Sequence, residues 1–374
     1  ETPCFVVDEG LLTENLKRLK YVSDKSGCRI LLAQKAFALY PLYPLIAEYL
    51  DGATSSGLFE ARLAYEEMRA KSGKRPEYHI FAPAYAENEI DEIISLTDHM
   101  VFNSAAQLKK YGSKVKAGGK SFGIRINPEF STQNRAIYDP CAPFSRLGIR
   151  ADELKSMDTE GIDGLHFHTM CEQRFADLDA TFTAVEKKFE PYLKRIKWVN
   201  FGGGQHITAD GYDVEGLIAL IGRVSEKYGV QIYLEPGEAV ALNAGFLVSS
   251  VLDTIKNDMD IAIIDASAAC HMPDVMEMPY RPNIISAGKP REKKYTYRLG
   301  GNTCLAGDII GDYSFDKPLK AGDKLIFCDM AHYSMVKTNM FNGINLPSIA
   351  VRGINGKINV LKKFSYADYK TRIG

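Results

Sequence analysis

The chain has 374 residues, with 46 Lys and Arg against 47 Asp and Glu, for a net charge of -1. A general phosphate-backbone binder needs a basic face, so no nucleic-acid partner is expected. At about 150 residues per domain the length predicts two or three domains, and 45% hydrophobic with 25% charged residues is ordinary for a globular protein.

The segment Cys4 to Asp8 (CFVVD) reads as a strand that either of two domains could own. Ile30 to Phe37 (ILLAQKAF) is the next strand, with Lys35 near its end. Asp51 to Thr54 is shorter, and a Ser55-Ser56 cap leads into a helix over Leu58 to Met68. Tyr78 to Ala82 precedes a helix over Glu87 to Leu96. Met100 to Asn103 leads through a Ser104 cap into a helix over Ala105 to Tyr111. Phe122 to Asn127, Gly164 to Thr169, Trp198 to Phe201 and Val230 to Leu234 complete eight strands alternating with helices. They span roughly 230 residues, close to the typical (β/α)8 barrel of about 250. An open doubly wound sheet alternates the same way, so the count alone does not choose between them. After Gly237 the pattern changes. Phe246 to Ile255, Asp260 to Asp265, Tyr295 to Leu299 and Lys324 to Asp329 are strands separated by Gly, Pro and Asn, which predicts a mostly β domain.

No apolar run reaches the roughly eighteen residues of a membrane-spanning helix, so no membrane partner is expected. Glu1-Thr2-Pro3-Cys4 runs straight into a strand, and no signal peptide is expected. The seven cysteines, at 4, 28, 141, 171, 270, 304 and 328, include no Cys-x-x-Cys. Neither a disulfide framework nor a metal site is predicted, and the reading is a reducing cytoplasm.

Barrel chemistry collects at the C-terminal ends of strands. Lys35, His166 with His168, Gly202-Gly203-Gly204 and Glu235 all fall at such ends. A lysine in apolar surroundings has a lowered pKa and a nucleophilic amine. Glycines let backbone N–H groups approach a phosphate. A carboxylate beside a pyridine nitrogen keeps it protonated.

These residues carry a resemblance. Ala33-Gln34-Lys35-Ala36, His166-Phe167-His168, Gly202-Gly203-Gly204, Glu235-Pro236-Gly237, Gly301-Asn302-Thr303-Cys304 with Asp308, and Tyr333 with Phe341-Asn342-Gly343 stand in the order seen in the fold-type III pyridoxal-phosphate decarboxylases. The chain resembles that family over nearly its whole length. The resemblance implies an α/β-plus-β fold: a (β/α)8 barrel over 9–237 and an alanine-racemase-like β domain over 238–374 joined by 1–8. It also implies a pyridoxal 5'-phosphate cofactor and a head-to-tail homodimer with shared active sites. Lys35 then looks like the Schiff-base lysine, and His168 the residue stacked on the cofactor ring. Gly203, Gly204 and the Tyr333 hydroxyl would hold the phosphate, and Glu235 the pyridine nitrogen. Cys304 and Asp308 would come from the partner subunit, Cys304 as proton donor and Asp308 toward the substrate.

Two departures stand out. The family commonly reads Glu-Pro-Gly-Arg, whereas this chain has Glu238 in the fourth place, which attracts an ammonium and not an anion. Its usual serine is replaced within Thr169-Met170-Cys171-Glu172-Gln173. With Asp274 adding a further acid, the pattern resembles the branch that decarboxylates carboxynorspermidine and carboxyspermidine. Glu238 and Asp274 would then bind the amines of the substrate. A diaminopimelate decarboxylase is the alternative within the family, and a non-catalytic cofactor-binding regulator the alternative outside it.

Overall fold

The computed structural model describes residues 1–70 and 72–374. The chain divides into two compact units, one of residues 15–240 and one of residues 1–14 with 241–374. In chain order the first strand is β1 (Cys4–Asp8). The larger unit follows with β2 (Arg29–Ala33), β3 (Gly52–Ser55), β4 (Glu77–Phe81), β5 (His99–Phe102) and β6 (Ser121–Asn127). A short β7 (Ile149–Arg150) precedes β8 (Gly164–His166), β9 (Trp198–Asn200) and β10 (Gln231–Leu234).

Pairing of β10 with β2 and of β5 with β6 closes eight parallel strands into a barrel, which excludes the open sheet. All eight expected strands are present, some ends coinciding and others shifted by up to four residues. Parallel barrel strands are covered on both faces, and β2 accordingly buries four consecutive residues of Arg-Ile-Leu-Leu-Ala.

The helix after β3 runs from Leu58 to Glu67, but Ser55 and Ser56 do not cap it. Ser55 is the last residue of the strand, and the Glu60 carboxylate reaches back to the Ser56 N–H at 2.6 Å. Ser104 does cap its helix, accepting from Gln107 N–H at 3.3 Å, and that helix continues past Tyr111 to Ala117.

Inside the barrel, the end where the strands begin is filled by rings. His79 stacks on His99 at 4.1 Å between centroids, and His99 stacks on Trp198 at 5.1 Å. Tyr233 meets Trp198 edge-on at 6.3 Å. Gly123 and Gly164 make room for the indole, since a Cβ on either would overlap it.

In the smaller unit β1 lies between β11 (Gly245–Asn257) and β16 (Ser348–Arg352). This answers the question of which domain owns Cys4 to Asp8. The sheet extends from β11 through β12 (Met259–Ile264) and β13 (Tyr295–Gly300) to β14 (Ile309–Phe315). On the other side β16 pairs with β17 (Ile358–Lys362), and β15 (Lys324–Cys328) also pairs with β11. Among the described residues no helix is long and apolar enough to cross a membrane.

Candidate active site

β2 stops at Ala33, and Lys35 stands in the turn beyond it. Gln34 fixes that turn. Its amide donates to Ser55 Oγ and to the Glu60 carbonyl, each at 2.9 Å, and accepts from the Tyr43 hydroxyl at 2.9 Å. With Gln34 held inward, Lys35 opens toward the barrel mouth. The residue is exposed there, yet protein crowds its amine. That crowding, with the positive charge of Arg125 nearby, lowers its pKa.

Lys35 Nζ lies 3.1 Å from His168 Nε2. The opposite ring nitrogen, Nδ1, faces the carbonyl of Gly203 at 3.1 Å and its N–H at 3.2 Å. Burial, then Lys35 and Arg125, push the His168 pKa well below its ordinary value, so the ring is neutral at pH 7. The glycine loop cannot carry side chains. A Cβ on Gly203 would overlap the Glu235 carbonyl, and Gly204, at φ 84°, abuts the Met170 carbonyl. Bare backbone thus lies against His168 beside Lys35, a cradle suited to a phosphate.

Glu235 follows β10 and is buried. It accepts from Asn200 Nδ2 at 2.8 Å and lies 3.2 Å from His166 Nε2. Burial alone would raise its carboxyl, but His166, His79 and the Asn200 amide together hold it well below the usual carboxylate range. His166 is itself kept neutral by burial and, among the described residues, shows no partner at Nδ1. A buried ionised carboxylate held by an amide and a neutral imidazole suits a protonated pyridine nitrogen. An amine, a neutral ring, a glycine cradle and this carboxylate therefore fit pyridoxal phosphate. Glu238, the first residue of a short helix, lies 3.3 Å from His206 Nε2.

The remaining expected residues lie in the smaller unit. Cys304 is exposed, and its N–H donates to Asn342 Oδ1 at 2.8 Å, which joins the Gly301–Cys304 and Phe341–Gly343 motifs. Asp308 is buried. Its carboxylate accepts from Ser267 Oγ at 2.9 Å, Ala269 N at 3.2 Å, and Thr303 Oγ1 and N at 2.7 and 3.3 Å. Its oxygens thus tie the loop of residues 301–308 to the segment 267–269. Asp274 is paired with Lys337. Tyr333 takes a left-handed backbone, φ 49°, which a bulky side chain rarely adopts.

A family model described as "Pyridoxal-dependent decarboxylase, C-terminal sheet domain" matches residues 4–331. The chain belongs to the pyridoxal-dependent decarboxylases. It is 45% identical to a carboxynorspermidine/carboxyspermidine decarboxylase of Campylobacter jejuni, over 100% of this chain and 98% of that one. A carboxyaminopropylagmatine decarboxylase of Synechocystis is 42% identical over 100% of this chain and 95% of its own. The crystal structure of carboxynorspermidine decarboxylase complexed with norspermidine from Campylobacter jejuni superposes with a TM-score of 0.92, 45% identity and full coverage of both chains. The cofactor of this decarboxylase is pyridoxal phosphate.

Three residues of the decarboxylase site were not assigned roles in the sequence. Asn200 and His166 were seen inside motifs, but their grip on Glu235 depends on neighbouring strands meeting. Arg125 is the larger omission. It is buried in β6, donates from Nη2 to the His168 carbonyl at 2.7 Å and lies 4.6 Å from the Phe81 ring. Its signal was available: Phe-Gly-Ile-Arg-Ile-Asn places an arginine in an apolar strand, the same anomaly that marks Lys35.

Proposed function

We propose that the chain decarboxylates carboxynorspermidine, carboxyspermidine or both, yielding norspermidine or spermidine. The observation that carries this reading is Glu238, a carboxylate at the mouth where the family commonly has arginine. The relatives sharing 36–45% of the sequence over nearly full length support it.

Pyridoxal phosphate, when bound, supplies a sink for the electron pair released with CO2. The residues of the chain do the rest. Lys35 provides the amine that would hold the cofactor, and the neutral His168 ring lies beside it without a competing charge. Gly203 and Gly204, with Tyr333, would bind the phosphate. Glu235 would keep a proton on the pyridine nitrogen. Glu238 and Asp274 would draw in the ammonium groups of the substrate. Cys304 would return a proton to the product carbon, and its exposure supports a homodimer in which each Cys304 serves the partner subunit. Asp308 would act through the loop that carries Cys304, because its oxygens are engaged by that loop and its neighbours. Seven free thiols fit the reducing cytoplasm proposed as its location.

The test is CO2 release from a substrate panel by purified, cofactor-loaded enzyme. Carboxynorspermidine or carboxyspermidine should exceed meso-diaminopimelate by at least about a hundredfold, the discrimination expected when a mismatched charge is left unpaired. Preference for diaminopimelate overturns the reading. The 42% identity to the carboxyaminopropylagmatine enzyme favours a second reading in which the distal group is a guanidinium, so that compound belongs in the panel.

A further inference from the structure

The opposite end of the barrel holds a second group of reactive side chains. Glu77 opens β4, His79 lies two residues further along it, and His99 opens β5 directly beside His79 in the pairing register. Lys35, in contrast, follows the end of its strand, so the two groups belong to opposite poles. One potential ligand atom from each of Glu77, His79 and His99 lies within 4.8 Å of the others.

His79 is only 1% exposed, yet among the described residues neither of its ring nitrogens has a hydrogen-bond partner. His99 Nδ1 and Glu77 Oε2 share that condition. Buried polar atoms are costly to leave unpaired, and a group of them facing one another calls for a common partner. His99 also lines an open cleft of ≈ 510 Å³ with Arg29, Ser121, Trp198 and Tyr233, which gives solvent a route to the group.

We propose that Glu77, His79 and His99 bind one divalent transition-metal ion of the zinc class, with water from the cleft completing its coordination. Two imidazoles and a carboxylate suit zinc, cobalt or nickel and disfavour magnesium or calcium. Burial holds the His79 pKa at about 4 and, with His79 and Arg29 nearby, the His99 pKa at about 2. Both rings therefore offer lone pairs at neutral pH. Arg29 pairs with Glu77 Oε1, which leaves Oε2 facing His79 Nε2 at 3.5 Å and orients the carboxylate. Bonds of about 2.0–2.1 Å at tetrahedral angles set ligand atoms about 3.4 Å apart, so on binding the group draws in by up to about 1.4 Å and one imidazole turns out of the stack to aim its lone pair at the ion.

The test uses cofactor-loaded enzyme stripped of metal with a chelator and titrated with Co²⁺, read by its visible ligand-field absorbance. The expected result is one Co²⁺ per chain, displaced by Zn²⁺. His99→Phe keeps a ring in the stack and removes a ligand. It should weaken binding at least about 10–100-fold, the loss that disturbing even a ligand's supporting partner causes. Metal-free CO2 release and cofactor absorbance should not change. Because every cysteine is retained in the variant, equal binding by both proteins assigns the metal to thiols and overturns the proposal, as does no uptake at all. If His99→Phe loses its cofactor absorbance, Glu77→Gln makes the same comparison with the same two readings.

Discussion

Lys337 Nζ lies 2.5 Å from Asp274 Oδ1 and 2.8 Å from Glu277 Oε2, so these acids already hold an ammonium group. Desolvation would lower the Lys337 pKa, but the two carboxylates raise it, and the lysine stays charged. If Asp274 receives a substrate amine, Lys337 competes for the same oxygen. A partly exposed pair of this kind is worth up to about 1 kcal/mol. Lys337→Met should therefore lower KM for the polyamine substrate by up to about fivefold and leave kcat unchanged. Steady-state kinetics on carboxynorspermidine checks this. An unchanged KM would remove Asp274 from the substrate contact.

The cradle makes a second prediction. A Cβ on Gly203 has no space against the Glu235 carbonyl, so Gly203→Ala must displace either the loop or the strand end that positions Glu235. Both shifts damage cofactor binding. The affinity for pyridoxal phosphate, read from the absorbance of the loaded enzyme, should fall by about a hundredfold or more, on the order of 3 kcal/mol of strain. Gly211→Ala is a fair control, because that glycine has open space around it although its φ is also positive. It should cost stability but not cofactor affinity.

Much of this site was legible because its chemistry resides in short motifs at strand ends. Eight apolar runs set the barrel, and the residue types at their ends marked the mouth. What stayed hidden depends on contacts between distant segments. Neither Asn200 nor His166 announces that both close on Glu235, and nothing in Asp274 announces Lys337, 63 residues away. Glu77, His79 and His99 were silent for the same reason, since only the pairing register of adjacent strands brings the two histidines together. The Ser55-Ser56 cap misled because serine suits a cap, yet Ser55 still belongs to the strand and Gly57 takes the cap position.

His271 gives the smaller unit an acid-sensitive joint. Its Nδ1 accepts from the Ser267 N–H at 3.2 Å, and its Nε2 lies 3.0 Å from the Asn345 carbonyl. Burial holds its pKa at about 4, against about 6.5 for an unfolded histidine. Between those values the unfolded chain binds the extra proton and the folded one does not. Stability is therefore complete above about pH 6.5 and falls as pH drops toward 4, by up to about 3 kcal/mol from this group. Thermal midpoints of cofactor-loaded enzyme at pH 7.5 and 5 measure the loss. His271→Asn can still accept from Ser267 but does not titrate, and its midpoint should fall less over the same interval.

Arg125 sets the last expectation. Burial lowers its own pKa to about 10, so it remains a cation at neutral pH. After burial, that charge is the main cause of the lowered Lys35 pKa. Arg125→Gln removes the charge and should raise the Lys35 pKa. The neutral amine then forms only at higher pH. The rate at which the enzyme takes up pyridoxal phosphate should show its acid limb displaced to higher pH. Arg125→Gln also loses the bond to the His168 carbonyl and the contact with Phe81, and this damage lowers the rate at every pH without moving the limb. The position of the limb therefore reads the electrostatic role alone, and an unmoved limb would assign the Lys35 shift to burial.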